Sequence, residues 1–250
     1  MNDDFYIGYR DRSQPGLARH VRRMVWLIAF AVLGVSSWVA SKQTVAKPGV
    51  FEYGVVRTFE GVLVEAPLPL LQTVAANGAR TNYFLVGEGK HGLPEFARGA
   101  SGQRVRLEGT LIQMGAYSMI EVHNERAFQR LGPSTTESSL QVHRRGEVVL
   151  TGEVVDTKCY FGVMRPAAGK VHRGCAVRCL SGGVPPGLLV RDNQGGALVL
   201  MLVGSRGKPL ELDPQWAARE VKVRGQLVEI EGIQQLEVVS AVLARTSPEQ

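Results

Sequence analysis

The sequence lacks a Gly-x-Ser-x-Gly elbow, a His-Glu-x-x-His pair and a Cys-x-x-Cys-His. Motif-bearing serine hydrolases, zinc proteases and covalent haem carriers are thereby set aside. The stretch Gly87-Glu-Gly-Lys-His-Gly92 has neither the spacing nor the following helix of a phosphate-binding loop, so it reads as a plain surface loop, His91 included. His20, His123 and His143 are scattered without ligand spacing. Aromatic residues are sparse at 7%, and the strand segments carry no series of them on which bases could stack. Cysteine is scarcer still: there are three, an odd number, all between Cys159 and Cys179. Long apolar runs are limited to one, near the N-terminus.

What is present describes a folded chain. At 250 residues, 44% hydrophobic and 21% charged, with 29 glycines, it has room for one or two domains rich in turns. The net charge of +6 is too modest to name a partner.

The apolar run spans Val21 to Ala40, and the eighteen residues between Arg23 and Lys42 carry no charge. That is near the lower limit for crossing a hydrocarbon core at about 1.5 Å per residue. Trp26 and Trp38 stand near its ends, where indoles favour the interface. Arg10, Arg12, Arg19, Arg22 and Arg23 precede the run and outnumber Asp3, Asp4 and Asp11. The positive-inside rule therefore puts residues 1–20 in the cytoplasm as a leader, residues 21–41 in the bilayer as an anchor, and the rest outside. A cleaved signal peptide is the competitor. Ser36-Ser37-Trp38-Val39-Ala40 is a poor cleavage site and the leader is long, so an uncleaved anchor is expected.

Beyond Gly49 the pattern changes to short β-rich runs with glycine-containing turns. Strand candidates are Val55 to Glu65, Thr81 to Val86, Arg104 to Gln113 and Tyr117 to Val122. The second half repeats the first. Val105-Arg-Leu-Glu-Gly109-Thr-Leu111 aligns without a gap to Val221-Lys-Val-Arg-Gly225-Gln-Leu227, and Ile120-Glu121-Val122 to Leu236-Glu237-Val238. Phe84 to Gly87 matches Met201 to Gly204, and Phe59 to Val64 matches Leu150 to Val155. The shared order of these matches points to an internal duplication. Each unit reads as a long strand with a central glycine, two shorter strands, a short helix (Leu93 to Arg98; Asp213 to Arg219) and a closing hairpin. Five strands with a helix between the third and fourth is the OB-fold plan, with another small barrel or sandwich as the alternative. The expected fold is therefore mainly β, with two tandem OB-fold-like barrels after one transmembrane helix. Residues 50–128 form the first barrel, 129–145 a polar linker and 146–246 the second barrel.

The repeat also locates what is unique. Gly61 to Leu85 spans about 24 residues, whereas Gly152 to Leu202 spans about 50. The excess, 156–186, holds all three cysteines, and as a connection between the first two strands of a barrel it belongs on the rim. Cys159, His172, Cys175 and Cys179 are four soft or borderline donors. His-x2-Cys-x3-Cys sets the last three on consecutive turns of a short helix, and Cys159 could return from the rim to complete a Cys3His set. Such a set suits tetrahedral zinc, and thiolates with imidazole also suit copper. Asp156 is a further ligand or an acceptor for the His172 ring, and Met164 is a weaker soft donor.

Two other chemistries stay open. One is a structural disulfide between Cys159 and Cys175 or Cys179, which leaves an odd thiol. The other is thiol–disulfide or electron-transfer chemistry at Cys175 and Cys179. The Cys-x3-Cys spacing also occurs in the binuclear copper site of oxidase subunits and in thioredoxin-like copper chaperones. Here His172 lies upstream, no His or Met follows Cys179 closely, and the thioredoxin βαβ pattern is missing, so only the chemistry carries over. The block Asp156-x-x-Cys159, His172-x-x-Cys175-Ala176-x-x-Cys179 and the following Gly-Val-Pro resembles one in uncharacterised bacterial exported or membrane-anchored proteins with small β-barrel domains. That resemblance covers about thirty residues closely and brings no established activity.

The reading that results is a non-enzymatic accessory or binding protein. It is held by the lipid bilayer through residues 21–41 of a bacterial inner membrane, with its barrels in the periplasm. Its Cys/His insertion binds zinc or copper in the service of a membrane-protein partner complex. Nucleic acid is not expected as a partner, because part of the basic excess belongs to the leader and the barrels are placed outside the cell interior.

Overall fold

The computed structural model of the chain describes residues 14–42, 49–75, 77–134, 142–194, 196–230 and 232–244. It divides into an N-terminal unit, Met1–Val45, and a compact unit, Ala46–Gln250.

Helix α1 runs from Pro15 to Lys42. Pro15 suits the first helical position, where its missing N–H is no loss, and the Ala18 N–H reaches back to the Gln14 carbonyl. None of the helix is buried; Trp26, Ile28, Phe30, Leu33 and Trp38 all stand exposed. A helix of 28 residues is about 42 Å long, more than the roughly 30 Å of a hydrocarbon core, and this one is apolar enough to cross a membrane. The helix begins at Pro15 rather than at the apolar run, because nothing between Gly16 and Arg23 breaks it. It therefore takes in the last six residues assigned to the leader, while residues 1–13 lie outside the described ones.

The first barrel is built from β2 (Arg57–Val64), β3 (Leu70–Val74), β4 (Arg80–Gly87), β5 (Gln103–Met114) and β6 (Tyr117–Val122); β1 (Val50–Phe51) and β7 (Gln129–Pro133) pair with β5 outside it. Strand order β2-β3-β4-β6-β5 closes back on β2, with β4 and β6 parallel and every other pair antiparallel. The second barrel repeats the order with β8 (Val142–Asp156), β9 (Pro186–Arg191), β10 (Ala197–Gly204), β11 (Glu220–Ile230) and β12 (Ile233–Leu243). This is OB-fold topology, used twice. The helix expected between the third and fourth strands is a three-residue 3-10 turn in each copy, Glu95–Ala97 and Pro214–Trp216. It is shorter than the sequence suggests because Pro94 or Pro214 fixes its start and an extended residue (Arg98, Ala217) follows at once.

Pairing registers carry the repeat down to single residues. Gly61 faces Val105 as Gly152 faces Val221; Leu85 faces Ile120 as Leu202 faces Leu236; Gly109 faces Val122 as Gly225 faces Val238. The mid-strand glycines are sites of close backbone approach: a Cβ on Gly61 would lie 2.3 Å from the Gln72 carbonyl oxygen, and one on Gly152 2.6 Å from that of Leu189. The segment 129–145, expected as a linker, is strand at both ends, because β7 adds to the open edge of β5 and β8 begins at Val142. Its middle, 135–141, lies outside the described residues.

Each barrel has its own interior, around Leu63, Leu85, Leu107 and Ile120 in the first and Val154, Leu200, Leu202 and Leu236 in the second. A third apolar cluster joins them. It takes alternate residues from the opposite strand faces, Phe84 and Val86 of β4 with Val199, Met201 and Val203 of β10, together with Cys159, Phe161 and Cys179. The equivalent strands of the two copies are thus apolar on both faces, and the insertion packs where the barrels meet.

Candidate metal centre

The extra segment leaves β8 at Asp156 and rejoins at Pro186, and those two residues pair across β8 and β9. Thr157 closes the base by donating its hydroxyl to the Pro185 carbonyl at 2.7 Å. Two pieces of helix lie in between. The first is a wide π-type turn, Cys159–Val163, opened by Asp156, whose Oδ1 accepts the Cys159 backbone N–H at 2.9 Å. Asp-x-x-Cys is therefore the spacing of a capped helix start. The second is α2, Arg173–Ser181, entered through a 3-10 turn at Lys170–His172. It ends in a Schellman motif: Gly183 (φ +88°) donates to the Leu180 carbonyl and Val184 to that of Cys179, both at 3.0 Å. Only glycine adopts that φ freely, which accounts for the Gly-Val after Cys179.

These two pieces bring the donors together. Cys159 Sγ lies 3.8 Å from Cys175 Sγ, and Cys175 Sγ lies 3.9 Å from Cys179 Sγ. All three are free thiols. A disulfide requires sulfurs at about 2.05 Å. A tetrahedral centre with Zn–S bonds of about 2.3 Å has S···S edges of about 3.8 Å. Cys159, His172 and Cys175 present ligand atoms within 4.8 Å of one another, as do Asp156, Cys159 and Cys179. Cys159, His172, Cys179 and Asp156 are buried and Cys175 is half-buried. Met164 is exposed.

His172 and Asp156 form the buried polar arm of the site. The His172 Nε2–H donates to Asp156 Oδ2 at 2.8 Å. With Nε2 holding its proton for that bond, Nδ1 is the nitrogen left with a lone pair. A carboxylate behind a ring in this way fixes its orientation and raises its basicity towards a metal. Both Asp156 oxygens already accept hydrogen bonds, which suits the carboxylate to orienting ligands more than to being one.

The thiols are polarised against one another. The nearness of Cys179 pushes the Cys159 pKa up, and burial and the Asp156 charge push the same way. The contact with Cys159 lowers that of Cys179, assisted by Cys175 and the Lys90 charge and opposed by burial and the Asp156 charge. Lys90 Nζ lies 2.7 Å from Cys175 Sγ, and this contact raises the lysine pKa.

Lys90 belongs to the first barrel, in the 87–92 loop read from sequence as plain surface. Three contacts make it part of the site instead. Lys158, next to Cys159 and 2% exposed, donates to the carbonyls of Gly87 and Gly89 at 2.7 Å each and pairs with Glu121 of β6. The Gly92 N–H donates to the Gly182 carbonyl at 2.8 Å. Gly182 itself approaches the Lys90 carbonyl so closely that a Cβ would lie 1.9 Å from its oxygen. Gly92 against Gly182-Gly183 puts glycine on both sides of this crossing, a pairing 90 residues apart that no local pattern marks. Beside the thiols rather than over them, a cleft of about 520 Å³ runs between the barrels, lined mainly by Pro and Leu, with Glu65 and Arg98 as its charged residues.

No protein-family model matches the chain, and no curated protein matches it either. Among solved structures, the chain is similar to a deletion mutant of the single-stranded DNA-binding protein from Thermus aquaticus at 15% identity and a TM-score of 0.23, over 83% of this chain and 94% of that one. At that score the similarity carries no argument about ligand or function.

Proposed function

We propose that the chain is a single-pass, membrane-anchored accessory protein whose barrels lie outside the cytoplasm. In this reading the Cys/His insertion binds zinc or copper, as a subunit or assembly factor of a membrane redox complex. One observation carries it: three sulfurs separated by 3.8 and 3.9 Å, the edge length of a thiolate metal centre, beside a histidine oriented by a buried carboxylate. The five arginines from Arg10 to Arg23, ahead of the charge-free stretch, support the orientation. Elemental analysis of the full chain purified in mild detergent, beside Cys175→Ser, tests the metal. About one equivalent of zinc or copper in the wild type, and a marked loss in the variant, is expected. No bound metal and no uptake under reducing conditions would end the reading.

A second reading is favoured by the Lys90–Cys175 contact. A half-buried thiol beside an ammonium, with two further sulfurs in reach, is arranged for thiol–disulfide exchange. Thiol counting across a series of redox buffers separates the two: a redox pair cycles at a definable potential, and a metal centre takes up metal with its thiols reduced.

A further inference from the structure

Three thiolates around a divalent ion leave one net negative charge, and around a monovalent ion two. Asp156 adds another a few ångströms away, and His172 contributes none as a neutral ligand. An anionic centre of this kind, largely shielded from water, needs a counter-charge. Among the described residues, Lys90 is a cation whose head group touches a sulfur, at 2.7 Å. The other nearby ammonium, Lys158, turns away to Gly87, Gly89 and Glu121. Lys90 also comes from the other barrel, across the backbone crossing of Gly92 with Gly182.

Resting on the metal reading above, we propose that Lys90 is a working residue of the metal centre, and that metal binding fastens the 87–92 loop of the first barrel onto α2 of the second. Lys90 is a positioning and charge-balancing residue here, not a ligand. The coupling runs both ways, because a contact that favours the metal-loaded centre is favoured by the metal to the same extent. The Gly92 N–H to Gly182 carbonyl bond reports on it.

The experiment uses the full chain in mild detergent. Affinity for Zn²⁺ and for Cu⁺ is measured by competition with a chromophoric chelator for wild type, Lys90→Met, Lys90→Arg and Gly182→Ala. Hydrogen exchange over 87–92 is followed with and without metal. Lys90→Met is expected to weaken binding about ten- to hundredfold with unchanged stoichiometry, Lys90→Arg to retain most of the affinity, and Gly182→Ala to weaken it by wedging the loop away. Metal should slow exchange at Gly92 in the wild type but not in Lys90→Met. Wild-type affinity in Lys90→Met overturns the proposal while leaving the metal reading intact. So does stoichiometric metal binding that leaves exchange over 87–92 unchanged, a result that needs no variant to fold. A wild type that takes up no metal overturns both.

Discussion

Both oxygens of the fully buried Asp156 are committed, one to the Cys159 amide and the other to His172 Nε2. The carboxylate thereby sets the helical turn that carries one thiol and the tautomer of the ring beside it. Asp156→Asn keeps the size and loses the charge, and its amide nitrogen can face the ring only if the imidazole proton moves to Nδ1, the nitrogen the proposed metal would use. Metal affinity should fall about ten- to hundredfold with stoichiometry unchanged, as read by chelator competition; undiminished affinity would remove Asp156 from the site. Tyr117 offers a test of a different contact. Its hydroxyl donates to the Val199 carbonyl across the barrel–barrel boundary, its ring stacks on Phe161 at 4.9 Å, and burial pushes its pKa up to about 12. The unfolded value is about 10. The neutral form is the one the fold favours, so its contribution is complete below about pH 10 and is lost as pH rises towards 12. The unfolding free energy of the wild type should therefore drop relative to Tyr117→Phe by about 2 kcal/mol over that window, and parallel profiles would contradict the assignment.

At the scale of elements, the two copies make the same demand on their first long strand. Gly61 in β2 and Gly152 in β8 leave no room for a Cβ beside a neighbouring carbonyl. Gly61→Ala and Gly152→Ala should each cost about 1–3 kcal/mol in chemical denaturation, and a silent result in one alone would break the equivalence. That equivalence is also why so much was legible beforehand. Period-2 alternation and glycine turns marked β2, β4, β5 and β6, and the alignment of copies bracketed the insertion at 156–186, where β8 ends and β9 begins. That Cys175 comes near both His172 and Cys179 was legible because their spacing is local, whereas Cys159 joins from sixteen residues upstream through the first turn of the insertion. Lys90 and Lys158 were not. Their partners lie 85 and 71 residues away, in the other copy, and a lysine within a glycine-rich loop has the same local pattern as a solvated one. Strand β7 was hidden for a different reason. Its Gly132-Pro133 has turn composition, tolerated because β7 pairs only along the edge of β5.

For the molecule beyond α1, the question is whether two OB-type barrels behave as beads or as one body. The shared cluster answers it physically. Phe84, Val86, Ile112 and Met119 from the first barrel are buried against Val155, Leu189, Val199 and Met201 from the second, with Phe161 of the insertion among them. Separating the barrels would expose these side chains to water at a cost of about 1.5–3 kcal/mol for each large one, several times what a transient domain contact supplies. It would also strip Lys158 of its two carbonyls and Glu121, leaving an unpaired charge in each half. Neither barrel can then open without destabilising the other. Chemical denaturation of the full chain in mild detergent, with pulse hydrogen exchange read separately at β5 and β11, should give one coincident midpoint. Met201→Ala sits in the second barrel yet should lower both midpoints together, by an amount equivalent to about 2–5 kcal/mol. Two resolved midpoints, or a Met201→Ala effect confined to β11, would mean that the barrels are independent and that the thiol cluster does not need the first of them to hold its shape.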